Sequence, residues 1–146
     1  MENGSRGKWA LLVGINRYPR FGSDVQLEGC VNDVQILRDA LIRRFGFSEE
    51  RMTVLLDEQA TRDGILAAME ELAGKVGEDD VVVFHFSGHG SQQTDGPEAD
   101  EADGWDETLV PFDSGRAPWK NRDIADDEIH DWLLRLTART PYVTLI

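Results

Sequence analysis

Residues 81–91 read VVVFHFSGHGS, an apolar run broken only by His85 and followed by a Ser-Gly-His-Gly turn. A short apolar run bounded by turn formers reads as a strand buried on both faces of a parallel sheet. The turn then places His89 just beyond the carboxyl end of that strand, where open α/β sheets build their sites. Ser87, Gly88 and Gly90 tighten the turn and give a reacting group access to backbone N–H groups. A histidine carried at such a tip can serve as a general base, and the Gly90 amide can contribute to an oxyanion hole. The competing reading is a hydrogen-bonded turn histidine with no chemistry. His85 is assigned to the strand as a satisfied core residue, and His130 to the surface.

Working outward, residues 9–15 (WALLVGI) form a second buried strand, and residues 16–29 (NRYPRFGSDVQLEG) are rich in turn formers and read as a loop. Val31, Val34, Leu37, Leu41 and Phe45 recur at helical spacing, with Gly46 as the stop. Met52 to Leu56 is a strand, and Thr61 caps a helix whose inner stripe is Ile65, Ala68, Met69 and Leu72. Strand, helix, strand, helix, strand at this spacing implies right-handed crossovers onto a mainly parallel sheet. Residues 88–124 read as long loops, with a short strand at Thr108 to Val110. Asp126 then caps a helix with Ile129, Trp132, Leu133 and Leu136 on one side, and residues 142–146 (YVTLI) make a fourth parallel strand.

The 146 residues suit one domain, a size that buries roughly two-thirds of the unfolded chain's surface. A net charge of −13 argues against a nucleic-acid backbone or an anionic membrane as the main partner and fits a cationic ligand better. Seven acids and no base lie between Asp95 and Glu107, read either as a cation-binding surface or as a solvated loop. Residues 1–8 are polar and read as a flexible N-terminus; no secretory signal or membrane-length apolar run is visible, so a cytoplasmic location is expected.

Neither a phosphate-binding loop, a dinucleotide fingerprint, a GxSxG elbow nor an EF-hand loop is present. Cys30 is the only thiol, which excludes an internal disulfide and a cysteine zinc cluster. It opens a helix, where the dipole favours a thiolate. It follows a loop rather than a strand end, however, and a small cysteine near a helix start is also ordinary packing.

The segments ALLVGINRYP, LEGCVNDV, VVVFHFSGHGSQ, DEADGWDETLVPFD, IADDEIHDWL and YVTLI, in this order, resemble the large-subunit part of the metacaspases, including their prokaryotic relatives. The resemblance covers nearly the whole chain and implies a caspase-like αβα sandwich with a mainly parallel sheet, incomplete at its C-terminal side. It implies a cysteine endopeptidase that cuts after Arg or Lys and is stimulated by calcium. By resemblance His89 is the catalytic histidine, Asp33 an acid of the pocket for the basic P1 side chain, and Cys30 an auxiliary, non-nucleophilic thiol. Asp106, Asp126 and Asp127 match acids associated with calcium; no organic cofactor is implied.

In that family the last strand runs on into an Asp-x-Cys-His-x-Gly-like segment carrying the nucleophile. The nucleophilic cysteine is therefore expected from sequence beyond residue 146, in a C-terminal small-subunit portion that would act as partner to this one. The 146-residue chain alone is expected to be inactive. A catalytically inactive interaction module and an acidic cation-binding α/β domain are the alternatives.

Overall fold

The computed structural model describes residues 6–94 and 105–146. Seven strands and three α-helices are present among them: β1 (Lys8–Gly14), α1 (Cys30–Phe45), β2 (Met52–Leu56), α2 (Arg62–Lys75), β3 (Val81–Ser87), β4 (Gly90–Thr94), β5 (Trp105–Leu109), β6 (Ile124–Ala125), α3 (Asp126–Thr137) and β7 (Tyr142–Leu145). The main sheet is wholly parallel in the order β2-β1-β3-β7. The two most apolar strands, β1 and β3, are the inner ones. That is what strands covered on both faces require.

Two cores lie on opposite faces of this sheet. Ala10, Leu12 and Val83 pack with Val34, Leu41 and Phe47 on the α1 side. Leu11, Val13, Val82 and Phe84 pack with Ile65, Met69, Trp132 and Leu136 on the α2 and α3 side. The chain is thus a three-layer αβα sandwich. Strand alternation fixes which face each β3 residue addresses, so Val81, Val83, His85 and Ser87 look toward α1 while Val82, Phe84 and Phe86 look toward α2 and α3.

Thr61 caps α2 as its sequence requires, its hydroxyl accepting from Gly64 N–H at 3.1 Å. Gly46 ends α1 in the left-handed conformation with φ 70°. Other expectations are corrected. Phe45 is 60% exposed and Phe47, just past the helix, takes the buried place on the α1 side. Asp126 is the first residue inside α3 and not its cap; Ala125 holds that position, and the Glu128 carboxylate accepts its N–H at 3.0 Å.

Among the described residues of 88–124, the expected short strand at Thr108 to Val110 overlaps β5, which begins earlier at Trp105, and two further strands accompany it. β4, β5 and β6 form a second, antiparallel sheet with Gly90 opposite Leu109 and Thr108 opposite Ala125. Its inward residues on β5 are Asp106 and Thr108, both buried, while the outward Trp105 is 45% exposed. Polar residues inside and an aromatic outside invert the pattern by which a half-buried strand is read. β1 starts at Lys8, and residues 1–5 of the expected flexible N-terminus lie outside the described residues.

Candidate functional site

His89 sits where β3 hands over to β4, between the two sheets, and every polar group of its backbone and ring that faces the protein is tethered. Its N–H donates to Tyr18 Oη at 2.8 Å. Its carbonyl accepts from Val110 N–H at 2.9 Å. Its Nε2 lies 2.6 Å from the Val25 carbonyl. A carbonyl can only accept, so Nε2 carries the hydrogen, and in the neutral ring Nδ1 keeps the lone pair. The Tyr18 ring packs against the imidazole with centroids 4.9 Å apart.

The loop that supplies Tyr18 and Val25 is itself held. Gln26 clamps it, accepting from Tyr18 N–H at 2.7 Å and donating to the carbonyls of Tyr18 and Gly22, both at 3.0 Å. Asp57, in the left-handed region with φ 44°, accepts from the N–H groups of Asn16 and Arg17, both at 2.9 Å. Burial pushes the Tyr18 phenol up to about 12, against the lowering effect of the bond from His89 N–H. Tyr18 is therefore a neutral, fixed acceptor for the backbone of His89 near neutral pH. Gly88 is required by this arrangement, since a Cβ there would lie 2.6 Å from Tyr18 Oη and 3.0 Å from the Phe86 ring.

Gly90 is the exposed first residue of β4. Because His89 and Val110 form the hydrogen-bonded pair, the adjacent Gly90–Leu109 pair is the non-bonded kind. The Gly90 N–H is thus directed away from β5.

Asp33 lies in the first turn of α1, exposed, and its carboxylate accepts from Ser87 Oγ at 3.1 Å. Ser87 is the last residue of β3, two before His89, so the structure brings the acid and the histidine to one end of one strand. Cys30 is the buried first residue of α1. The helix-start N–H groups that would favour a thiolate are engaged by another group, because Asn16 Oδ1 accepts from Cys30 N–H at 2.9 Å and from Val31 N–H at 3.3 Å.

His85 is not the satisfied core residue its sequence suggested. It is 9% exposed, and neither ring nitrogen has a hydrogen-bond partner. Burial holds its pKa below the ordinary value, opposed by the Asp33 charge and by the backbone of Ile146. His130 is exposed on α3 as expected.

The three acids expected to bind calcium are distributed over two elements. Asp106 is buried on β5, and Asp126 and Asp127 open α3, with Asp126 Oδ1 accepting from Asp127 N–H at 3.0 Å. The Thr108–Ala125 pairing brings Asp106 to the end of the small sheet where α3 starts. Among the described residues no group of three or more His, Cys, Asp or Glu side chains is arranged to hold a metal. The described carboxylates alone therefore do not compose a calcium shell. Asp95, Glu98, Asp100, Glu101 and Asp103 of the acid-rich segment lie outside the described residues.

Tyr18, Val25 and Arg116 were not singled out by the sequence. Arg116 reaches back from the β5–β6 connection, its guanidinium donating to Asp123 Oδ2 at 2.7 Å and to Ser91 Oγ at 2.9 Å. With Phe21 and Val110 these residues border a cavity of about 120 Å³ beside His89 and Gly90. Nothing local marks them, since a loop tyrosine and a valine carbonyl carry no motif.

Residues 8–146 match the family described as Metacaspase, peptidase C14 domain. Metacaspase-1 of Eremothecium gossypii is 42% identical over 135 residues, covering 88% of this chain and 28% of that protein. Metacaspase-1 of Meyerozyma guilliermondii is 40% identical over 141 residues, covering 92% of this chain and 32% of that protein. The chain thus spans about a third of the length of these curated relatives. The crystal structure of a Geobacter sulfurreducens protein superposes with a TM-score of 0.70 at 26% identity, covering 95% of this chain and 48% of that one.

Proposed function

The chain belongs to the metacaspase family, peptidase C14, and from that membership we propose that the full-length protein is a cysteine endopeptidase cutting after Arg or Lys. The observation that carries the reading is the tethered imidazole. Spending Nε2–H on the Val25 carbonyl fixes the ring and the tautomer, and leaves Nδ1 to take a thiol proton.

In this reading the nucleophilic cysteine comes from sequence beyond residue 146, because Cys30 is buried at the foot of α1. The thiolate attacks the scissile carbonyl, and a carbon–sulfur bond forms. As the carbon–nitrogen bond breaks, His89 returns its proton to the leaving amine. Water then hydrolyses the thioester. The outward Gly90 N–H, together with the N–H of the nucleophile, stabilises the oxyanion.

Asp33 accounts for selectivity. Its carboxylate is exposed to an incoming P1 cation and oriented by Ser87. An acidic P1 side chain would meet like charge there. The small-subunit portion is proposed to cover the open edge of β7, where Tyr142, Leu145 and Ile146 are 40%, 48% and 58% exposed.

Calcium stimulation belongs to the same proposal. The density of acids between Asp95 and Glu107 supports it, as does the placement of Asp106 near the start of α3. Hard divalent ions with flexible coordination relieve such repulsion. The remaining ligands would have to come from outside the described residues. Adding calcium to the full-length protein should raise both activity and melting temperature, less so in D126A/D127A. Equal activity with calcium and with a chelator would remove this part.

Profiling the full-length protein against peptides that differ only at P1 tests the main reading. Cleavage after Arg and Lys and none after Asp is expected, while the 146-residue chain alone should cut none of them. Cleavage after Asp would contradict the role of Asp33, and hydrolysis by the isolated chain that is lost in C30A would make Cys30 the nucleophile.

A further inference from the structure

The turn that carries His89 has two unlike sides. On the α1 side Ser87 and Asp33 present an acid. On the other side, where Phe86 and Tyr18 lie, is the cavity of about 120 Å³ bordered by His89 and Gly90. A peptide whose P1 side chain is held at Asp33, with its scissile carbonyl at His89 and Gly90, sends its next residue across the turn toward that cavity. We propose that the cavity receives the P1′ side chain, on the leaving-group side of the bond, and that it selects an apolar residue there over a basic one. This rests on the peptidase reading and names its second determinant of substrate choice.

The walls decide the selectivity. Phe21, Val25, Val110 and the Tyr18 ring make the lining mainly apolar, and among the described residues no Asp or Glu contributes to it. The volume compares with the roughly 150 Å³ apolar cavity that takes up benzene, so a branched aliphatic side chain is of suitable size.

Among the described residues Arg116 is the one permanent charge in the lining, and it is locked. Its guanidinium donates to both carboxylate oxygens of Asp123, at 2.7 and 3.3 Å, and to Ser91 Oγ at 2.9 Å; it also stands 5.5 Å over the Phe21 ring. Asp123 has no exposed side-chain surface and also accepts from Thr108 Oγ1 and Ser114 Oγ. This pair neutralises itself and does not reorganise cheaply, since breaking it strands the buried carboxylate of Asp123. A P1′ lysine would bring an ammonium against the guanidinium, with no acid among the described lining residues to receive it. A P1′ carboxylate would have to compete with Asp123. An apolar side chain displaces water from Phe21 and Val110 and disturbs no pair.

The test uses the full-length protein and quenched peptides with Arg at P1 and Leu, Gly, Lys or Asp at P1′. Leu is expected to exceed Gly and Lys by roughly tenfold or more in kcat/KM, the scale of filling an apolar pocket. Phe21→Ala should bring the Leu-to-Gly ratio toward one. R116M made together with D123N removes both charges at once and should raise the Lys-to-Leu ratio. A flat wild-type profile, a preference for Lys, or an unchanged Leu-to-Gly ratio in F21A would overturn the inference. If no peptide is cut, the peptidase reading itself falls, and titration of the protein with leucinamide and lysinamide decides the cavity's selectivity alone. Shifts of the Gly90 and Ser91 amide signals with leucinamide only are expected; equal response to both overturns it.

Discussion

His85 and His89 stand on one strand and its turn, and their surroundings differ in kind. His85 lies inside the sandwich on the α1 face of β3, buried, with two ring nitrogens that make no hydrogen bond of normal geometry and only the Ile146 backbone and the Asp33 charge acting on the ring. His89 is partly exposed, and its N–H, its carbonyl and its Nε2 are each spent on a named neighbour. The difference separates burial from preorganisation. A buried imidazole without partners is kept from ionising by its environment, whereas a tethered one at the sheet's carboxyl end keeps a single nitrogen free for proton transfer.

The contrast can be broken from the turn. Gly88→Ala places a methyl group 2.6 Å from Tyr18 Oη, so either the tyrosine or the turn must shift. Displacing a catalytic group by about 1 Å can cost on the order of 100-fold in rate, and a loss of that size is expected for Arg-P1 peptides. Turnover within a factor of two of wild type would show that the Tyr18 contact does not position His89.

Asp33→Ala removes the acid on the α1 side. Hydrogen bonds to charged groups are worth about 1.5–3 kcal/mol, so kcat/KM for Arg-P1 and Lys-P1 peptides should fall roughly tenfold or more. A neutral P1 analogue should be cut at an unchanged rate. Equal losses for basic and neutral peptides would relocate the P1 pocket.

Tyr18→Phe sharpens the comparison by removing the acceptor of the His89 backbone N–H while leaving the ring tether in place. Leaving a part-buried donor unsatisfied costs about 1–3 kcal/mol, so thermal unfolding should move down by several degrees. Activity should fall less than in the Gly88 variant, because the bond to Val25 remains.

The smallest effect is expected at His85. Its folded pKa lies below the ordinary value of 6.5, so the unfolded chain takes up the proton first. The sign follows: the proton-linked cost of His85 is absent well above pH 6.5, and stability is lost as pH falls through that value toward the folded pKa. His85→Phe should lose less stability than wild type on going from pH 8 to pH 5. Parallel melting curves across that range would mean that the imidazole finds a partner on protonation.

The same division shows in what the sequence revealed. The inner strands β1 and β3 were legible because each is an apolar run fixed by burial on both faces, the edge strands β2 and β7 because each is a short apolar run, and α2 because Thr61 and the Ile65–Leu72 stripe agree. Turn chemistry marked His89 itself. Of the small sheet only the end of β5 was legible, as the short strand at Thr108 to Val110; the rest was hidden because β4 is the polar GSQQT and β5 turns Asp106 and Thr108 inward, so hydrophobic alternation is absent. The tethers were hidden for another reason. Tyr18 and Val25 meet His89 across 71 and 64 residues of chain, and Arg116 meets Ser91 across 25. Such pairings are products of the fold and leave no local signature. Asn16 capping α1 in place of a residue adjacent to the helix is a third case.

The central claim is that His89 manages the proton in peptide hydrolysis, and turnover of Arg-P1 peptides by full-length His89→Ala tests it most directly. The account predicts a loss of several orders of magnitude with a nearly unchanged melting temperature, since a partly exposed turn tip adds little to the core. Hydrolysis by the variant at a rate near wild type, with the fold intact, would contradict it.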